Sequence, residues 1–303
     1  MKIKSTVPVQ FFLSREGWAR RRLLRLFIAA AGMAVVPPTF AETSELIMGV
    51  FPRRSPSEMM TMFNPLAQHL SRELGRPVKL ETTPDYKSFW EAVAAGRYHL
   101  AHYNQYHYVR SHKQSGYQVI AKNEEVHKST LAGALVVRKD TGFKSLQDLR
   151  GKKIIFGGDK QALVSYILPT YLLRQAGLKQ GDYREDFAQN PSNVALTVFF
   201  RQADAGGISD SVFETTFVRD KIDIAQMEYL VRGEQVPHLP WAVRADVPMV
   251  ERLRIQNVLL GVKGAVGGEN ILKSASLTNL VKAEDSEYDS IRHVIKTVTG
   301  EKY

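Results

Sequence analysis

The 303-residue chain contains no cysteine. That excludes disulfides, a lipid-modified N-terminal cysteine and thiolate metal sites. Stability must come from a buried core, which a chain of this size can supply. A long apolar run is also lacking: the nearest, LLRLFIAAAGMAVV, is interrupted by Arg25 and falls short of the ~20 residues of a membrane span. There is no repeat of fixed period and no low-complexity tract. The catalytic signatures Gly-x-Ser-x-Gly and His-Glu-x-x-His, a phosphate loop and a dinucleotide fingerprint are all missing, so the sequence displays neither an enzyme site nor a cofactor site. Histidine is plentiful, and five of eight lie between His99 and His127. Yet His99 and His102 are three apart on an expected strand and face opposite sides, and no carboxylate stands at ligand spacing beside His107 or His112. No metal site is expected.

What is present is a basic surplus with a local origin. The net charge is +10, but residues 1–41 carry seven Lys and Arg against Glu16 alone. Removing that surplus of six leaves +4, which is no nucleic-acid footprint. The same segment has the form of an export signal: basic residues, an apolar stretch, Pro37-Pro38, and small residues at Thr39 and Ala41. Arg20-Arg21-Arg22-Leu23-Leu24-Arg25 resembles a twin-arginine address. Cleavage after Ala41 and a periplasmic mature chain are expected.

Beyond residue 44, strand and helix patterns alternate. ELIMGVF, PVKLETT, HLAHYN and YQVIAKN read as strands. Between them lie the helical stretches SPSEMMTMFNPLAQHLSREL, YKSFWEAVAAG and VRSHKQ. LAGALVVRK, KKIIFGG, DAGGISD and IAQMEYLVRG form a second strand series. Its helices are SLQDLRG, ALVSYILPTYLLRQAG, which Pro169 should kink, and SNVALTVFFRQ with Ser192 as cap. This rhythm argues for an α/β chain of two lobes with mostly parallel, helix-covered sheets and a cleft beyond the strand ends. Lobe 1 is expected over 42–132 and 232–303, lobe 2 over 133–231, with a two-strand hinge near 131–136 and 228–234.

Several segments carry a resemblance in their order and spacing. They are GVFP, FNPLAQHLSRELGRPVKL, TPDYKSFWEAVAAGRYHLAHYN, VVRKDTGFKSLQDLRGKKIIFGG, SYILPTYLLRQAG, RQADAGGISDSVFE and VPHLPWAVR. From about Leu46 to the C-terminus the chain resembles the phosphate/phosphite/phosphonate solute-binding proteins of ABC transporters, which have the type 2 periplasmic binding fold. The resemblance implies a monomeric binding protein, not an enzyme, that closes on a small ligand and meets a membrane permease. The family's usual Ser-Thr-Ser-Gly cradle is here Ala162, Leu163, Val164 and Ser165. Leu131 stands in place of a tyrosine and Asn193 in place of a histidine. Tyr86, in the Pro-Asp-Tyr turn, keeps the expected aromatic.

The expected ligand-binding residues are therefore Tyr86, Tyr103 and Asn104 on one lobe and Ala162 to Ser165, Ser192 and Asn193 on the other. Two ligand readings stand: an oxyanion held by backbone N–H groups, or a less charged molecule stacked on Tyr86. Arg53 and Arg54 read either as an anion clamp or as exposed loop charges. Asp210 and Glu214 read either as a wall for an amine or as a helix cap. A rival function is a periplasmic sensing module that reports to a membrane kinase or cyclase. An exported enzyme is a third class, for which the sequence displays no site.

Overall fold

The structure, a computed structural model, describes residues 45–188 and 191–303. The expected export signal, its twin arginines and its cleavage point lie outside the described residues.

Strand β1 (Leu46–Val50) leads to helix α1 (Pro56–Leu74). Ser55 and Glu58 close a capping box at its start, and left-handed Gly75 ends it, as the sequence pattern requires. β2 (Val78–Glu81), α2 (Tyr86–Ala94), β3 (Leu100–His102), α3 (Gln105–Ser115) and β4 (Gln118–Glu124) follow. The short β5 (Thr130–Leu131) then opens into β6 (Gly133–Arg138) and β7 (Lys153–Gly157). A π-helical turn, Leu163–Ile167, runs directly into α4 (Leu168–Gln175). Pro169 explains this widening in place of the expected kink, because it has no N–H to continue a regular ladder.

Next come β8 (Arg184–Ala188), α5 (Pro191–Phe199), β9 (Ala205–Ser209), α6 (Thr216–Arg219) and β10 (Met227–Arg232). The chain returns through β11 (Val236–Pro237), β12 (Pro240–Val243), α7 (Met249–Gly261), α8 (Gly268–Ser274), β13 (Asn279–Lys282) and α9 (Asp289–Thr299).

Two sheets result. One runs β13-β4-β12-β3-β1-β2 and the other β10-β6-β9-β7-β8. Both are mixed rather than mostly parallel. Parallel pairing is confined to β1 with β2 and β3, and to β7 with β8 and β9. The strands beside the crossings, β6, β10 and β12, pair antiparallel because the chain returns through them. β5 and β11 pair as a two-residue ribbon, Leu131 opposite Val236 and Thr130 opposite Pro237. The crossing is thus this ribbon, while most of the expected hinge stretches belong to the second sheet.

Trp241 anchors the first lobe. It is wholly buried, stacks on His102 at 4.3 Å and 9°, and donates its indole N–H to Asn123 Oδ1 at 2.8 Å. His102 meets Phe51 edge-on at 5.4 Å, so this layer forms the floor on which the cleft stands.

Candidate functional site

A cavity of about 210 Å3 lies between the two lobes. That is below the ~300–1,000 Å3 of drug-sized sites, so it suits a small guest. Larger hollows of about 650 and 470 Å3 occur elsewhere, one along α1 and α7 and one beside the crossing ribbon and α9. They are larger, but neither reaches the polar turns described next.

The second-lobe wall is built by the turn 162–165, Ser192, Ser209, Ser211 and Thr215. Ala162 is extended, with φ −73° and ψ 102°, and the chain enters helical geometry at Leu163. The N–H groups of Leu163, Val164 and Ser165 have no acceptor among the described residues: Ala162 N–H before them donates to Asp159 O at 3.1 Å, and the next main-chain donor to find an acceptor is Tyr166 N–H, on Ala162 O at 2.9 Å. These are the free donors of a helix start. The Ser165 hydroxyl is already committed, donating to Gly157 O at 2.6 Å, which ties the turn to the end of β7. Gly157 is required there, because a Cβ would come within 2.5 Å of Pro191 Cα. That close approach brings the Ser192 turn beside the 162–165 turn. α5 begins at Pro191, so Ser192 lies in its first turn rather than at its cap.

The first-lobe wall presents Phe51, Arg53, Tyr86, Asn104, Gln105 and Glu125, with His238 behind. Tyr86 opens α2 and stacks on His107 at 6.3 Å and 23°, and His107 stacks in turn on Trp90 at 5.5 Å. Burial pushes the Tyr86 phenol up to about 12, so it stays a neutral donor at ordinary pH. Asn104 caps α3, accepting from His107 N–H at 2.9 Å, and its amide reaches Gln161 O across the cleft at 3.4 Å. The His107 Nε2–H donates to Gln161 Oε1 at 3.0 Å, so Gln161 of the second lobe is clasped by two residues of the first.

Arg53 proves to be a cleft residue, paired with Glu125 at 3.1 Å, each side chain a quarter exposed. Asn123 Nδ2 also donates to Glu125 Oε1, at 3.1 Å. Partial burial pushes the Glu125 carboxyl up. Arg53, His238 and Asn123 together outweigh this and hold it below the usual carboxylate range. His238 is held neutral by burial, and its Nδ1 accepts Leu239 N–H at 2.8 Å, which leaves Nε2–H toward Glu125 at 3.9 Å.

Of the residues expected from sequence, the structure brings Tyr86, Asn104, Ala162, Leu163, Val164, Ser165 and Ser192 to one cavity. Tyr103 is corrected. β3 ends at His102, and the next ring turns into the core, fully buried among Phe89, Tyr108 and Tyr117 with its hydroxyl on Ser111 at 2.8 Å. Asn193 stands beside Ser192 but does not border the cavity. Arg54 is exposed. Asp210 takes Ala132 N–H at 2.9 Å and Gln235 at 2.8 Å, and Glu214 pairs with Lys128 at 2.7 Å, so neither forms the cavity wall. Sequence reasoning missed Gln105, Glu125, His238 and the Ser209, Ser211 and Thr215 hydroxyls. The DAGGISDS segment carried the signal for the two serines, as polar residues just past a strand end.

Residues 48–288 match the profile of a family described as ABC transporter, phosphonate, periplasmic substrate-binding protein. The chain belongs to this family. It is the periplasmic substrate-binding component of a phosphonate-type ABC importer and works with a membrane permease. A phosphate-import protein PhnD of Mycolicibacterium smegmatis is 22% identical, over 87% of this chain and 88% of that one. PhnD1 of Prochlorococcus marinus, solved with methylphosphonate, superposes with TM-score 0.73 at 17% identity, over 85% of this chain and 99% of that one. XAC2383 of Xanthomonas citri, solved with ATP, gives TM-score 0.73 at 17% identity over 85% and 98%. These structural likenesses establish the type 2 periplasmic binding fold.

Proposed function

We propose that the interlobe cavity binds a small oxyanion of the phosphate, phosphite or phosphonate class and releases it to the permease. The observation that carries this reading is the set of three N–H groups, at Leu163, Val164 and Ser165, that have no acceptor among the described residues. Backbone donors at a helix start suit an anion whatever side chains the turn carries. The loss of the family's cradle hydroxyls therefore leaves a functioning site with an apolar rim. That rim suits an alkyl substituent, with Tyr86 and Phe51 against it. Nothing in this mechanism is covalent: binding favours the closed arrangement, and closure is what the permease reads. The mature protein acts as a monomer whose leader is cut after Ala41; the secreted chain, weighed intact, should begin at Glu42.

A thermal-shift series with phosphate, phosphite, methylphosphonate, amines and aromatic acids tests the ligand class. An oxyanion at 100 times its dissociation constant should stabilise the protein by about 2.7 kcal/mol. Stabilisation by neutral or cationic compounds alone would overturn the class.

Two substitutions probe the walls. Tyr86→Ala should weaken the best oxyanion roughly tenfold by removing an aromatic contact; unchanged affinity removes Tyr86 from the site. Gln161→Ala deletes the side-chain half of the clasp to His107. One net hydrogen bond is worth about 0.5–1.5 kcal/mol, so apparent affinity should fall about two- to tenfold as the open form gains population. Scattering should show a larger radius for the unliganded variant. A variant with wild-type radius and affinity would show that the clasp carries no closing energy.

A further inference from the structure

Among the described residues lining the cavity, Arg53 is the one Lys or Arg and Glu125 the one Asp or Glu, and they face each other at 3.1 Å. Two further observations bear on what can enter. Gln105 lines the same cavity, wholly buried; its Nε2 is spent on Pro237 O at 2.9 Å, and its Oε1 has no partner among the described residues. Glu125 also keeps hydrogen-bonding capacity, since a carboxylate offers about four acceptor positions. One lobe therefore offers free donors and the other offers acceptors.

We propose that Glu125, assisted by Gln105, is the specificity-determining residue that makes the cleft select a monoprotonated phosphonate or phosphate monoanion over the dianion. The inference rests on the reading of the cavity as an oxyanion site. A dianion would meet the Glu125 charge at the one guanidinium available to it, and it has no proton to give to either acceptor. A monoanion keeps two bare oxygens for the Leu163–Ser165 donors and presents its P–OH to the opposite wall. Selection by repulsion as well as attraction is how binding sites separate species of the same shape.

The groups around Glu125 do not blur this above neutral pH. His238 stays neutral, Asn123 does not titrate, Lys122 is paired with Glu287, and Asp210 is held by Ala132 N–H and Gln235. The ligand's own second proton is then the group that titrates.

The test is calorimetric titration of the whole protein with methylphosphonate from pH 6 to 9, for wild type and Glu125→Gln. In wild type, affinity should fall roughly tenfold per pH unit above the ligand's second pKa, tracking the monoanion fraction. In Glu125→Gln the fall should shrink to less than about threefold over the same range. Methanesulfonate, a single charge with no O–H, should bind wild type at least about tenfold more weakly than the methylphosphonate monoanion. Wild-type affinity that rises as the dianion forms would overturn the proposal, and this needs no variant. So would an unchanged pH profile in a Glu125→Gln protein whose thermal unfolding matches wild type. Absence of methylphosphonate binding at every pH in both proteins would instead overturn the oxyanion reading beneath it.

Discussion

Replacing Trp241 by alanine is expected to destabilise the protein by about 3–5 kcal/mol, the usual range for a buried tryptophan. At this size that corresponds to a fall of roughly 10 °C in unfolding temperature. The ring is fully buried between His102 and Phe63, so its loss leaves a cavity in the first lobe. It also orphans Asn123 Oδ1, whose partner is the indole N–H. The consequences extend to the cleft by two routes. His102 supports Phe51 in the cavity wall, and Asn123 holds the Glu125 carboxylate that faces Arg53. Trp241→Phe separates the contributions. It keeps much of the packing but leaves the Asn123 oxygen unsatisfied, at a cost of about 1–3 kcal/mol. Denaturant unfolding of the two variants measures both. A loss below 1 kcal/mol for Trp241→Ala would mean that the first lobe can collapse around the missing ring.

Acid should destabilise the protein well above the pH at which carboxylates titrate. His102 and His107 are buried, and burial lowers the pKa of each, that of His107 to about 4. An unfolded histidine takes a proton near pH 6.5, while these two in the fold do not. Stability is therefore fully present above pH 6.5 and is lost as pH falls toward the folded values. Each histidine contributes a slope of about 1.4 kcal/mol per pH unit. For His107 alone, the span from 6.5 to about 4 amounts to roughly 3 kcal/mol. Unfolding free energies measured at pH 7, 6 and 5 read this slope before the carboxylates contribute. His107→Gln should flatten it by the share of one histidine; a slope that is already flat in wild type would show that these rings accept protons in the fold.

The strand-and-helix rhythm was legible because elements carry their own periodicity and boundary signals, such as Ser55 at the start of α1 and Gly75 at its end. The polarity of the sheets was not. Which strands become neighbours is decided by where the chain crosses at β5 and β11, and no local pattern encodes that. The same division runs through the site. The 162–165 turn and Tyr86 were readable because a glycine turn before a helix and an aromatic after a strand end are local features. Glu125 was not, since its meaning comes from Arg53, 72 residues away. Tyr103 was misread while its neighbour Asn104 was not. It follows the last strand residue, where a ring belongs either to the cleft or to the core, and the packing partners Phe89, Tyr108 and Tyr117 that hold it inward are not a local pattern. The histidine cluster, suggestive in sequence, divides into stacked core rings at His102 and His107, the half-buried His99 and His112, and the exposed His127.

In the proposed complex, main-chain donors of the second lobe hold the small oxyanion. Amide NMR of the protein during titration with methylphosphonate tests it residue by residue. Saturable downfield shifts should be largest at the Leu163, Val164 and Ser165 N–H signals. Saturation of the ligand with those three amides unmoved would contradict it.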